Sequence, residues 1–276
     1  AILEWREPYV MVVSETQTQA NMLVKTIRGE LESNDLLAAR YPGQCGEGPE
    51  WGEDMLVTRG GTRVEAVGTM KRIRGRRQRS ERPTLIVVDD PMGDEHVESV
   101  KRRQKTQEWF DRGLMKAGTP DVNVVVVSNA IHREAIGMEL SRRPQWRTSV
   151  WKSITRWPER MDLWAQWESI LHDGTEAGGL AAAERFYREN RAEMDRGAVL
   201  LWPDREDLYR LMLLRAENHA AFEAEKQCNP IDPTKCEWPE EFFAWDGLWV
   251  PKMPEDKKLA IKVVAVDPSK GKDAKR

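Results

Sequence analysis

Hydrophobic positions along the chain fall into two textures that change at Pro144: short apolar runs between amphipathic stretches before it, long polar stretches with thin apolar stripes after it. Tyr9–Val13 is a short apolar run that predicts a strand. Ala20, Leu23, Val24, Ile27 and Leu31 then recur at helical spacing and predict one buried helix face. Ser14, with Gln17 three residues later, has the form of a capping box and marks the expected helix start. "LVTRGGTRVEAVG", Leu56–Gly68, sets two alternating runs around Gly60-Gly61, a hairpin signal. Leu85–Val88 and Val122–Val127 are continuous apolar runs. Between them a helix is expected to open at Asp94 or Glu95 and close at Gly118 and Pro120. Unbroken apolar strands separated by helices predict a parallel sheet covered on both faces.

Beyond Pro144 the pattern predicts one more strand and a Trp-rich helix within Thr148–Leu171. Two long polar helices follow, within Glu176–Gly197 and Arg205–Gln227. Trp157, Trp164 and Trp167 fit amphipathic burial better than base stacking and are expected in a core. Cys228–Phe243 is Pro-rich and reads as a linker, and Leu259–Asp267 reads as the first strand of another domain.

Composition narrows the class. With 40% hydrophobic and 32% charged residues in 276, the chain reads as a soluble globular protein of one large domain or somewhat more. No apolar run reaches the ~18 residues of a membrane span, and the opening residues lack the apolar core of a signal peptide. Cys45, Cys228 and Cys236 are odd in number and lack C-x-x-C spacing, so a reducing compartment is expected rather than a disulfide framework. The four histidines are scattered, so no zinc site is expected. A net charge of −3 creates no global pull on a polyanion, yet Lys71–Arg82 holds seven basic residues in twelve. That stretch is consistent with a solvated loop, with contacts to DNA phosphates through Lys71, Arg72, Arg74, Arg76, Arg77 and Arg79, or with an arginine finger reaching a neighbouring subunit.

The candidate chemistry lies in "LIVVDDP". Asp89 and Asp90 end an apolar strand side by side, which costs energy unless a cation sits with them. Ligands of open parallel sheets bind at the C-terminal strand ends. There the first acid can hold Mg²⁺ and the second can polarise a water attacking a γ-phosphate. Ser128 and Asn129 end the next apolar strand, where a polar residue can sense that phosphate.

The order of these pieces resembles the large terminase subunit of tailed bacteriophages. It runs from "VVSETQTQANMLVKTIRGELESNDLL" through "RRQRSERPTLIVVDDP", "VVVVSNAIHREAI" and "WPERMDLWAQWESI". "ERFYRENRAEMDRGAVLLWPDREDLYRLM", "AFEAEKQCNP" and "VVAVDPSKGK" complete it. The resemblance implies an α/β fold: a P-loop NTPase-like (ASCE) parallel sheet flanked by helices, then a helical linker region and the first strand of an RNase H-like nuclease domain. Residues 1–155 would form the ATPase part, 156–258 the helical subdomain and linker, and 259–276 the start of the nuclease. Asp89 would hold the Mg²⁺ of ATP, Asp90 would be the catalytic carboxylate, and Ser128 or Asn129 the coupling residue. Asp267 would ligate a nuclease metal, Mg²⁺ or Mn²⁺. Implied partners are double-stranded DNA, the small terminase subunit, the portal protein and further copies in a ring, in the bacterial host cytoplasm. G-x-x-x-x-G-K-[ST] is not found, so the family's phosphate-binding loop is expected upstream of Ala1 and the remaining nuclease acids beyond Arg276. Two other readings stay open: a non-catalytic nucleic-acid-binding remnant of a decayed prophage gene, and a helicase-like ATPase of another lineage. The helical stretch Trp157–Pro230 argues against the latter, which would carry a second motor domain there.

Overall fold

The Tyr9–Val13 run forms the centre of a sheet. In a computed structural model, which describes residues 1–4, 6–73, 82–93, 96–97, 99–175 and 178–230, strand β1 (Tyr9–Ser14) is buried at every position. It pairs in parallel with β4 (Arg63–Gly68) on one side and β5 (Leu85–Asp89) on the other. β6 (Asn123–Val127) continues the sheet in parallel beyond β5. On the far side, β2 (Glu50–Trp51) and β3 (Met55–Val57) run antiparallel, giving the order β2-β3-β4-β1-β5-β6. The sheet is therefore mixed rather than wholly parallel. The hairpin at Gly60-Gly61 is the reason: so short a turn returns the chain beside itself, whereas parallel strands need a crossover. Gly61 takes φ +90°, and the turn is tied by Thr58 N–H to Thr62 O at 2.9 Å.

Helix α1 (Gln17–Ser33) lays Ala20, Val24 and Leu31 on one sheet face with Val10, Val12, Val64 and Ala66, and Leu23 and Ile27 pack partly buried beside them. Its capping box is Thr16 with Gln19, two residues later than the Ser14 and Gln17 expected. Ser14 cannot cap because it is the last buried strand residue, in register with Asp89, and its carbonyl accepts Thr69 N–H at 2.8 Å. A short helix α2 (Asp35–Arg40) follows, capped by Asn34.

On the opposite face, Met11, Val13, Ile86 and Val88 meet Phe110 of α3 (Val100–Arg112) and Ile136 and Leu140 of α4 (Ile136–Ser141). The expected start of α3 at Asp94 or Glu95 lies outside the described residues. Ser99 caps the helix at Val100, and it ends at Gly113 rather than Gly118, passing into a 3₁₀ turn at Leu114–Lys116. β6 also departs from expectation. It starts at Asn123, sits at the sheet edge, and leaves Val125 and Val127 47% and 56% exposed, so one face there is open rather than covered.

The Trp-rich half has its own core. β7 (Ile154–Arg156) pairs with β8 (Val199–Leu200), and helices α5 (Met161–Leu171), α6 (Leu180–Met194), α7 (Leu208–Glu217) and α8 (His219–Glu225) enclose Trp164, Trp167, Tyr187, Leu211 and Phe222. Trp164 and Trp167 are fully buried, their rings edge-on at 5.3 Å, and Trp157 packs partly buried against this core, its ring 6.3 Å from that of Phe222. The expected single helix over Arg205–Gln227 is two. Asn218 leaves helical geometry at φ −155° and accepts Ala221 N–H at 3.0 Å, capping a new helix where the old one stops. Ala1–Asp232 forms one compact unit. Among the described residues, no helix is long and apolar enough to cross a membrane.

Candidate functional site

Because β4, β1, β5 and β6 are parallel, their C-terminal ends share one sheet edge, with Ser14, Asp89 and Val127 side by side in register. The acidic pair stands in the middle of that edge. Asp89 is the last strand residue and lies on the face of Val10, Val12, Leu85 and Val87, where it lines an apolar cavity of about 730 Å³ beneath α1. Burial, and then the adjacent Asp90 carboxylate, push the Asp89 carboxyl above its ordinary value. A cation bound beside it would favour the ionised form.

Asp90 is held in an uncommon conformation. Its φ is +40°, in the left-handed region, although it precedes Pro91, a position that favours extended backbone. Asp tolerates this region better than most residues, but such strain costs about 1–3 kcal/mol and persists only where its surroundings enforce it. Here two hydrogen bonds do so. Asp90 N–H donates to Val127 O at 3.0 Å, and Asn129 N–H donates to Asp90 Oδ1 at 2.9 Å. The turn swings the second carboxylate across to the end of β6, so the two acids leave one strand in different directions.

That contact joins the expected acid to the expected coupling segment, though through the Asn129 backbone rather than its side chain. The Ser128 hydroxyl occupies the space where a Cβ on Gly137 would sit, at the start of α4. The segment then ties itself to α3. Glu134 N–H donates to His132 Nδ1 at 3.0 Å, and the Glu134 carboxylate meets Arg103 at 2.7 Å. Arg103 is buried and also donates to Val97 O. Burial and the Arg103 charge hold the His132 imidazole below its ordinary value, so the neutral ring is favoured. Arg103→Ala removes three charge-assisted bonds, two to Glu134 and one to Val97 O, and strands that buried carbonyl. We expect a loss of about 2–3 kcal/mol, read as a lower urea midpoint at unchanged slope; an unchanged midpoint would dismiss this clamp.

Two residues that sequence reasoning passed over belong to the same edge. Glu15 follows β1, and its carboxylate meets His96 Nδ1 at 3.2 Å while filling the space over Gly93. The available signal was an acid directly after an apolar strand in "VVSE", the same signal as "VVDD" in weaker form. Lys71 and Arg72 are exposed at the start of the basic stretch, which Trp109 anchors by donating its indole N–H to Lys71 O at 2.9 Å. Arg74, Arg76, Arg77, Arg79 and Asp267 lie outside the described residues.

Among the described residues, no group of three or more His, Cys, Asp or Glu side chains converges as a metal site. Mg²⁺ can be held by a single carboxylate with phosphate oxygens and water completing its octahedron, and the acid at the strand end is Asp89. No known protein family's profile matches the chain, and no curated protein matches it.

Proposed function

We propose that the chain is the motor portion of a large terminase subunit, a P-loop NTPase-like machine in which ATP hydrolysis drives phage DNA into the procapsid. Asp89 would hold Mg²⁺ with ATP, and Asp90 would polarise the attacking water. The 129–134 segment would carry the change at the phosphate to α3 through Arg103. The carrying observation is the left-handed Asp90, whose strain is maintained so that its carboxylate meets the end of the neighbouring strand. A plain strand exit would have no use for that cost. The sheet-edge position of the pair adds support, since ligands of open parallel sheets gather there.

On this reading the partners are double-stranded DNA, the small terminase subunit, the portal protein and further copies of the chain in a ring, in the bacterial cytoplasm. Asp267 would open an RNase H-like nuclease that cuts the DNA with Mg²⁺ or Mn²⁺. The test is Mg²⁺-dependent ATP hydrolysis by the full-length natural chain, with and without linear duplex DNA. Turnover that needs Mg²⁺ and rises with DNA is expected. Absence of turnover under both conditions would sink the proposal.

A further inference from the structure

Several arginines of this protein face carboxylates at close range: Arg103 meets Glu134 at 2.7 Å, Arg143 meets Asp111 at 2.7 Å and Arg215 meets Glu168 at 3.1 Å. The β7–β8 ribbon is different. The stretch leading into it, "RTSVWK", is exposed at every residue from Arg147 to Lys152 and contains no acid. Neither Arg147 nor Lys152 has a carboxylate partner among the described residues. Arg156 spends its Nε–H on Gly197 O at 2.6 Å rather than on an acid.

Two large indoles flank the ribbon, Trp151 before β7 and Trp202 after β8. Trp151 is 67% exposed and Trp202 60% exposed, in a chain that buries Trp164 and Trp167 completely. Their backbones are fixed. Leu201 N–H donates to Ser153 O at 2.9 Å, bringing the end of β8 against the Trp151 segment, and Cys228 Sγ–H donates to Trp151 O at 3.4 Å. Arg205 places its guanidinium 5.3 Å from the Trp202 ring centroid. Exposed rings on tied backbone, beside cations without carboxylate partners among the described residues, can form a stacking platform with counter-charges for a polyanion.

We infer that the ribbon surface formed by Trp151, Trp202, Arg147, Lys152 and Arg205 binds single-stranded nucleic acid, bases stacking on the indoles and phosphates pairing with the cations. Trp and Arg also favour protein interfaces, whereas Lys is depleted in them, and the salt dependence and oligonucleotide binding below separate the two. A duplex offers no free base face to an indole. The inference is independent of the acidic edge and of any nucleotide chemistry there.

The experiment measures anisotropy of a labelled oligo(dT) of about 20 nucleotides, longer than the ~4–16 nucleotides of typical single-strand sites, titrated with the full chain. Binding is expected at ~50 mM salt and should weaken steeply by ~200 mM. The double variant Trp151→Ala/Trp202→Ala should weaken oligo(dT) binding ~10-fold or more and leave binding of a duplex of the same length unchanged. Arg147→Glu/Lys152→Glu should weaken oligo(dT) and flatten its salt dependence. All four side chains are exposed, so thermal melting should not move. Wild-type affinity in both variants would assign any binding to another surface, such as Lys71–Arg82, and overturn the inference. So would failure to bind at low salt, or capture by anionic vesicles in place of the oligonucleotide.

Discussion

On the proposed motor reading, Asp90→Asn is expected to lower ATP turnover by the full-length chain by about 10²–10⁴-fold, the usual contribution of a positioned general base, while leaving nucleotide affinity close to wild type. The substitution is well suited to the question. Asn tolerates the left-handed backbone at φ +40° as well as Asp does, and its amide oxygen can still accept Asn129 N–H. The fold and the link to β6 therefore persist, and only the charge and proton affinity of the group change. Asp89→Ala should act differently, raising the Mg²⁺ concentration needed for nucleotide binding. Asp90→Asn also has a signature that needs no turnover. The Asp89 carboxyl is raised by burial first and by Asp90 second, so removing the second charge should lower it. A carboxyl raised in the folded state costs stability on ionisation: stability falls as pH rises from the unfolded value, about 4, through the folded value, and is level above it. That fall should be smaller in the variant. Normal turnover in Asp90→Asn would remove this residue from the mechanism.

Trp164→Ala should be the most damaging single change to the helical half. The ring is fully buried, packs against Trp167 at 5.3 Å and Tyr187 at 5.4 Å, and donates its indole N–H to Met194 O at 2.8 Å. Removing it leaves a large cavity and an unpaired buried carbonyl, at a cost of about 3–5 kcal/mol. That is a large part of the ~5–15 kcal/mol that ordinary domains possess. Because this core is built from residues between Ile154 and Phe222, hydrogen exchange should accelerate there far more than in β1 or β5. Trp202→Ala is the control: an exposed indole contributes within about 0.5 kcal/mol to folding. Equal effects of the two variants would contradict the assignment of Trp164 to the core.

Much of the architecture was legible in the residues because local geometry repeats. A strand shows itself through an unbroken apolar run, as at Tyr9–Val13 and Leu85–Val88, and a helix through its spacing, as at Ala20, Val24 and Leu31. The hairpin at Gly60-Gly61 and the burial of Trp164 and Trp167 were legible for the same reason. The acidic pair at a strand end followed from its place directly after "LIVV". Cap positions were less legible, because Ser14 and Thr16 offer the same chemistry. The choice between them depends on how far the strand stays paired with β5, a partner far along the chain, in register from Val10↔Leu85 through Ser14↔Asp89.

What the sequence by itself determined is therefore the principal strands and helices, though not α2, β2, β8 or the break at Asn218, and the identity of the acids, since these depend on residues adjacent in the chain. Only the tertiary structure decided which strand became an edge, leaving Val125 and Val127 uncovered, and which backbone met Asp90. It also decided that Glu15 and His96 share the acidic edge, and that Trp151 and Trp202 remain outside while Trp164 and Trp167 go in. An indole reads identically at each of those positions along the chain. Its burial depends on whether elements distant in sequence close over it, and its chemistry follows from that.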